Sequence, residues 1–371
     1  MGEEKTLQVV QVLGRMDRGG AETMVMNLYR KIDRTKVQFV FVVHTDEKCS
    51  YDDEIEELGG KIYHVPRYNG KNHFIYRKWW KNFFLNHPTY KILHSHIRST
   101  AAIYLPIAKK NGVVTIVHSH STSNGNGLSA VIKKFMQYPI RFQSDYFLGC
   151  SQIGGEWLFG KRVVSSDRYY ILQNAIDLDD YDLNDGDRDE LRKKLHIESL
   201  TVYGHVGRMH ESKNHMFLLE LFSYIHQKEP RSVLLLVGDG ELKEQIVKKI
   251  EQLHLENDVL LLGVRSDVSC LLAAMDVFLF PSRWEGLPTS VVEAQAAGLP
   301  CFISDNVTKE VGITELVHYL PIDDGYEKWF EEIQRADLAR KNVTEYIRKA
   351  GFDIKETSMW LTLFYNKIVL R

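Results

Sequence analysis

Leu200-Thr-Val-Tyr-Gly-His-Val-Gly207 is an apolar, β-rich run that ends on a glycine, as a strand ends when it leads into a phosphate-binding loop. Arg208 follows at once, and Lys213-Asn214 a few residues later. The same pattern then repeats, predicting strands near 200–206, 232–237, 258–262, 276–280 and 300–303, with helices opening near Asn214, Glu241, Asp267 and Pro288. Upstream the alternation has already run once. Strands are predicted near 7–13, 37–43, 61–65, 91–94, 113–117, 145–149 and 169–173, with amphipathic helices between them. Short β-rich runs alternating with longer amphipathic ones build βα units around parallel sheets. The fold class is therefore α/β, with two doubly wound domains facing across a cleft and ligands at the carboxyl ends of their strands. Between the two series lies the acidic, turn-rich stretch Asn174–Gly186, which reads as the linker. It places an N-terminal domain at 1–180 and a C-terminal domain at 187–354.

Further along the second domain stands Glu285-Gly-Leu-Pro-Thr-Ser-Val-Val-Glu293. Pro288 suits the first helical position, where its missing N–H is no loss, so Glu285 is predicted on the preceding loop and Glu293 inside the helix. Unpaired N–H groups at Pro288, Thr289 and Ser290 offer the positive end of the helix dipole to a phosphate, which Arg208 and Lys213 approach from the other loop. Glu293 is left to accept hydrogen bonds from ribose hydroxyls, and Glu285 from hydroxyls of a donor hexose. By itself, a pair of glutamates eight apart is also what a solvated helix face carries.

A chain of 371 residues fits two cores better than one. Its hydrophobic share of 44% and charged share of 26% fall in the ordinary range for a globular protein. No apolar run approaches the ~18 residues of a membrane span. Met-Gly-Glu-Glu-Lys at the start lacks the features of a secretion signal, and Cys49, Cys150, Cys270 and Cys301 show no paired spacing. A cytoplasmic protein is expected.

The net charge of −2 conceals an asymmetry: from Leu58 to Ser144 the chain has thirteen lysines and arginines and no acid. Within this stretch, segment 74–84, Phe-Ile-Tyr-Arg-Lys-Trp-Trp-Lys-Asn-Phe-Phe, mixes rings and cations at helical spacing. Two readings stay open. The helix packs its rings on the sheet with lysines outward, or it rests peripherally on an anionic membrane with rings at the headgroup level. No nucleic-acid-binding motif accompanies the charge, so no nucleic-acid partner is expected.

Gly19-Gly20-Ala21-Glu22, His118, Gly207-Arg208, Lys213-Asn214, Gly238-Asp239-Gly240, Glu285-Gly286-Leu287-Pro288-Thr289 and Glu293, in that order, resemble the retaining family 4 glycosyltransferases. Within that family the pattern is similar to the exopolysaccharide and capsular polysaccharide branch. The resemblance spans nearly the whole chain and implies the GT-B architecture of two Rossmann-like domains, with a C-terminal helix at about 355–371 packing back on the first. It assigns Arg208 and Lys213 to the diphosphate, Glu293 to the ribose, Glu285 to the donor sugar and the backbone of Gly263-Val264 to the base. Gly19 and Gly20 would close over the phosphates beside Gly207, and Gly238 would lie near the base. Leu287-Pro288-Thr289 departs from the Phe-Gly common elsewhere in the family, adding the Thr289 hydroxyl as a phosphate contact.

The first domain supplies His94-Ser-His96 and His118-Ser-His120 at strand ends, where side chains are expected to point into a cleft. Four imidazoles suggest zinc, but no acid or cysteine accompanies them, and no metal is expected. The resemblance assigns His118 to the donor sugar, with His120 the alternative, and His120 and His96 fall on the acceptor side. In the front-face reaction it implies, the leaving diphosphate takes the acceptor's proton, and cationic side chains replace a metal. The expected function is transfer of a hexose or N-acetylhexosamine from a UDP-sugar to a lipid-linked oligosaccharide, with no cofactor. Two alternatives share the site: a nucleotide-sugar epimerase of the same architecture, and a non-catalytic protein that binds nucleotide sugar or lipid. A nicotinamide enzyme is disfavoured because G-x-G-x-x-G is absent.

Overall fold

Leu-Gln-Val-Val-Gln-Val-Leu becomes β1 (Leu7–Leu13), and the first sheet grows from both of its edges. The computed structural model describes residues 6–120, 128–182 and 185–370. After β1 come β2 (Val37–Val43), β3 (Lys61–His64), β4 (Ile92–Ser95), β5 (Val114–Ser119), β6 (Tyr146–Gly149) and β7 (Tyr169–Ile171). They lie in the order β3-β2-β1-β4-β5-β6-β7, and every pairing is parallel. A parallel sheet is covered on both faces, so its strands are apolar at odd and even positions alike. Val9, Leu13, Phe39 and Phe41 enter one core while Val10, Val12, Val40 and Val42 enter the other.

The second sheet repeats the plan with β8 (Thr201–Val206), β9 (Ser232–Val237), β10 (Val259–Gly263), β11 (Val277–Phe280), β12 (Cys301–Ser304) and β13 (Val317–Leu320). Its order is β10-β9-β8-β11-β12-β13. β13 is absent from the sequence reading: Val-His-Tyr-Leu is four residues long, and only Leu320 is well buried, so its apolar signal is faint. Strand order reverses between β1 and β4 in one sheet and between β8 and β11 in the other. Such switch points open crevices beyond the strands' carboxyl ends.

By its contacts the chain divides into Met1–Ala175 with Asp353–Arg371, and Ile176–Phe352. The stretch read as a linker is thus shared between the units rather than lying free. Leu178 is buried in the second core, and a 3-10 turn forms over Leu178–Tyr181. Leu183 and Asn184 lie outside the described residues. Helix Ile354–Val369, capped by Asp353, buries Leu361, Phe364, Tyr365 and Ile368 against Val9 and Phe39, so the C-terminal helix does belong to the first unit.

Segment 74–84 lies within helix His73–Asn86, where Tyr76, Trp80, Phe83 and Phe84 are core residues. Phe74 is 85% exposed, and Ile75 and Leu85 also face outward with Lys78 and Lys81. One helix therefore carries both features that the sequence offered as alternatives. No described helix is long and apolar enough to cross a membrane.

Candidate active site

At the switch point of the second sheet, the loop after β8 begins at Gly207, whose N–H donates to the Val237 carbonyl (2.9 Å). Gly238, after β9, has φ +135°, and a Cβ there would stand 2.1 Å from the Gly207 carbonyl oxygen. Only glycine fits so close an approach, and the contact clamps the two loops together. Gly238 in turn donates to the Gly263 carbonyl (2.8 Å), so Gly207, Gly238 and Gly263 form a row across adjacent strand ends. Val264, next to Gly263, is exposed.

Lys213 folds back over this row. Its stem lies 3.1 Å from where a Gly207 Cβ would be, and its Nζ is 4.4 Å from the centroid of Phe280 at the end of β11. The ammonium meets Glu285 Oε1 at 2.8 Å, with both side chains about five-sixths buried (15% and 16% exposed). Asn214 is left-handed (φ 56°) and turns the chain from the Lys213 loop into helix His215–Lys228. Two residues read from separate motifs are thus brought together as a largely buried ion pair beside a phosphate-type loop.

Arg208 is directed elsewhere. Its guanidinium is 72% exposed and pairs with Glu241 (3.2 Å), which also faces His210. Pro288 is not the first helical residue but the N-cap, with extended ψ 108°; helix Thr289–Ala296 begins one residue later. The extended cap still leaves Thr289 and Ser290 N–H groups at the helix start, and Leu287 is tied into the core below. Trp284, which precedes Glu285, is half exposed. Within the helix, burial raises the Glu293 carboxyl to about 7, with the Tyr181 hydroxyl hydrogen bond pulling it down. Tyr181, its hydroxyl in turn driven up by burial and by Glu293, was hidden in a stretch that reads as linker. Phe280 too carried no signal beyond its place in a strand.

In the first unit, Gly19 N-caps helix Gly20–Lys31, and the Glu22 carboxylate curls back so closely that a Cβ on Gly19 would be 2.4 Å from Glu22 Oε2. Burial raises the Glu22 carboxyl, and the chain's own acid thus lies at the turn read as a phosphate clasp.

The histidines depart most from expectation. β5 runs to Ser119, two residues beyond its predicted end, so His118 lies inside a strand. His94 and His118 are 1% and 0% exposed rather than projecting from loops. Residues two apart share a strand face, and β4 and β5 pair His94 with Ile116, so the four rings meet on one face. His94–His96 centroids are 4.4 Å apart, His96–His120 5.0 Å, His118–His120 4.1 Å and His94–His118 5.4 Å. Of the four, His96 and His120 reach the surface in part. Burial holds all four rings neutral, with His120 lowered to about 3 by burial and by Arg98. One ligand atom each from His94, His96 and His118 lies within 4.8 Å of the others, so the cluster has metal-like spacing, though the rings lie stacked side by side.

Two doubly wound parallel sheets, one bearing a lysine–glutamate pair and a helix start at its switch point, define a protein of GT-B architecture. The comparisons are consistent. The family described as Glycosyltransferase Family 4 matches residues 18–180, and Glycosyl transferases group 1 matches 187–320. EpsF of Bacillus subtilis strain 168, whose name assigns it provisionally to the glycosyltransferases, is 36% identical over 97% of this chain and 96% of its own length. The chain belongs to the family 4 glycosyltransferases. An Escherichia coli UDP-Gal:alpha-D-GlcNAc-diphosphoundecaprenol alpha-1,3-galactosyltransferase is 30% identical over 58% of each chain. In fold, the chain is similar to Anabaena Alr3699/HepE, solved in complex with UDP and glucose: TM-score 0.77, 16% identity, covering 97% of this chain and all of that one.

Proposed function

We propose that this glycosyltransferase is a retaining, metal-independent enzyme that moves a hexose or N-acetylhexosamine from a UDP-sugar to a lipid-linked oligosaccharide of a bacterial surface polysaccharide. The observation that carries the donor half is the Lys213–Glu285 pair seated over Gly207. It offers a cation to a diphosphate and a carboxylate to sugar hydroxyls within one side chain's reach. The Thr289 and Ser290 N–H groups face the same charge, Glu293 takes the ribose, and Arg208 swings from Glu241 to the phosphates. Support for UDP and for a lipid-linked acceptor comes from the Escherichia coli relative, whose name specifies UDP-Gal and a diphosphoundecaprenol.

In the reaction, the acceptor oxygen bonds to the anomeric carbon on the face that the phosphate oxygen leaves, and the acceptor's proton ends on the departing UDP. Lys213 stabilises the charge that grows on the leaving oxygen. His120, the partly exposed member of the later histidine pair, is assigned a hydroxyl contact to saccharide, and His118, buried in β5, backs it. UDP release from a panel of UDP-sugars with a lipid-linked acceptor, and the anomeric configuration of the product, test this reading. Release that needs the acceptor and ignores chelator is expected. A new sugar formed without acceptor would show an epimerase, and loss of activity with chelator would overturn the metal-independent step.

The acceptor's lipid sets the second element of the proposal, docking of the first unit on an anionic membrane. Phe74, Ile75 and Leu85 on one helix, Phe135 on helix Leu128–Gln137, Tyr138 in the turn that follows it and Phe142 on helix Ile140–Gln143 are all exposed. Helix Ala101–Lys110 contacts both groups, so they belong to one side of the sheet, where the chain carries no acid from Leu58 to Ser144. Rings enter the interface and lysines meet lipid phosphates. The protein is expected to sediment with phosphatidylglycerol vesicles at low salt and to be released as ionic strength rises. Equal sedimentation with neutral vesicles would remove this element.

A further inference from the structure

The four-histidine cluster contains a hydrogen-bond chain whose direction is set from one end. Gln11 is 1% exposed in β1 at the first sheet's switch point. Its Oε1 lies 2.8 Å from His96 Nε2, while its Nε2 donates to the Tyr365 hydroxyl (3.2 Å). An amide oxygen only accepts, so His96 Nε2 carries a proton. A neutral imidazole has one N–H, which leaves His96 Nδ1 bare. That nitrogen lies 2.8 Å from His120 Nε2, which must then be the donor. His120, neutral in its turn, is left with a bare Nδ1, and this atom is buried without a hydrogen-bond partner among the described residues.

We infer that Gln11 and His96 are positioning residues that fix His120 as the Nε2–H tautomer, so that its Nδ1 lone pair accepts a hydrogen bond from a hydroxyl of the bound saccharide. The assignment rests on the glycosyltransferase reading for the identity of the ligand, but the tautomer chain stands on the hydrogen-bond geometry and the neutrality of the buried rings. Burial keeps His96 uncharged, and burial together with the nearby Arg98 does the same for His120, as the chain requires. An unpaired buried acceptor is costly unless something donates to it. A sugar hydroxyl is a donor; a phosphate or carboxylate oxygen is not, and would be repelled. The position therefore selects saccharide over the charged end of a nucleotide sugar. His120 is the member of the cluster suited to this, since it is partly exposed at the carboxyl end of β5, whereas His118 lies wholly inside the strand. The Tyr365 hydroxyl, 2.7 Å from His94 Nδ1 and in contact with Gln11, ties the C-terminal helix into the same arrangement.

Protein labelled with 15N-histidine tests the chain directly, because a bare ring nitrogen and an N–H nitrogen give well-separated signals in long-range proton–nitrogen spectra. At neutral pH the free protein is expected to show His96 and His120 as neutral Nε2–H tautomers, assigned by loss of signals in His120→Asn. Gln11→Glu keeps an acceptor oxygen in place and is expected to keep the pattern. Gln11→Leu removes it and is expected to let both rings exchange between tautomers, with thermal unfolding confirming that each variant is folded. His120 found with its proton on Nδ1 would mean the reverse amide orientation and would overturn the inference. So would stoichiometric zinc uptake that coordinates the His96 or His120 ring. These spectra need no substrate, so their outcome is separable from failure of the UDP-release assay, which would strike the functional reading alone.

Discussion

Lys213→Met is expected to lower turnover of the cognate UDP-sugar by about a thousandfold, on the order of 4 kcal/mol of transition-state stabilisation. The ammonium is held where water is scarce, over the Phe280 ring and against Glu285. A cation in such a place acts on growing phosphate charge with little screening, and it is already oriented before donor binds. Removing it has a second consequence, because Glu285 would remain largely buried without its partner. Breaking one half of a shielded pair destabilises a protein by about 3–5 kcal/mol when burial is complete, and by less here, where both groups keep some solvent contact. The two effects separate in a double variant. Lys213→Met with Glu285→Gln has no orphan charge and should recover most of the melting temperature, while turnover stays low. If Lys213→Met alone retained turnover within tenfold of the parent, the ion pair would be a structural brace and the assignment of the diphosphate to this loop would fail.

The strand pattern was legible because parallel strands covered on both faces are apolar at nearly every position, and Val-Gln-Phe-Val-Phe-Val-Val of β2 cannot be mistaken for a helix stripe. β13 escaped for the opposite reason: it closes an edge, keeps three of its four residues partly exposed and reads like loop. Motif residues met where a glycine forced it. Gly207 and Gly238 must touch backbone to backbone, so Lys213 had one place to fold and Glu285 was near it. Sequence could not show that Arg208 would turn to Glu241, since an exposed guanidinium takes whichever carboxylate is close in the fold. The histidines show a different limit. Their shared face followed from the two-residue period, but their depth depended on where β5 ends, and an error of two residues moved His118 from a loop into the core. Tyr181 was invisible for a related reason, because an acidic, turn-rich composition describes the chain around it and not the carboxyl it meets.

Glu293 links stability and donor binding through one proton. Burial raises its carboxyl from 4.5 to about 7 in the folded protein. Between those two values the native state holds a proton that the unfolded state has released, so stability falls as pH rises through the window and the full loss is present above it. Glu293→Gln removes the titrating group. At pH 8 the variant is expected to be more stable than the parent by up to about 3 kcal/mol, with the difference vanishing near pH 4.5. Binding runs the other way. Ribose hydroxyls donate to a carboxylate better than to a carboxylic acid, so UDP should bind the parent more tightly as pH rises toward 7, by at most about tenfold per unit. UDP's own terminal phosphate titrates in the same range, but that contribution is common to parent and variant, and the difference between their calorimetric profiles isolates the carboxyl. At pH 8 the variant is expected to bind UDP about ten- to a hundredfold more weakly, the worth of a charged hydrogen bond. A Glu293→Gln variant both steadier and poorer at binding would mark this acid as one the fold tolerates for the sake of its ligand. Parallel UDP profiles for the two proteins would show that Glu293 serves Tyr181 and the core, and would take the ribose away from it.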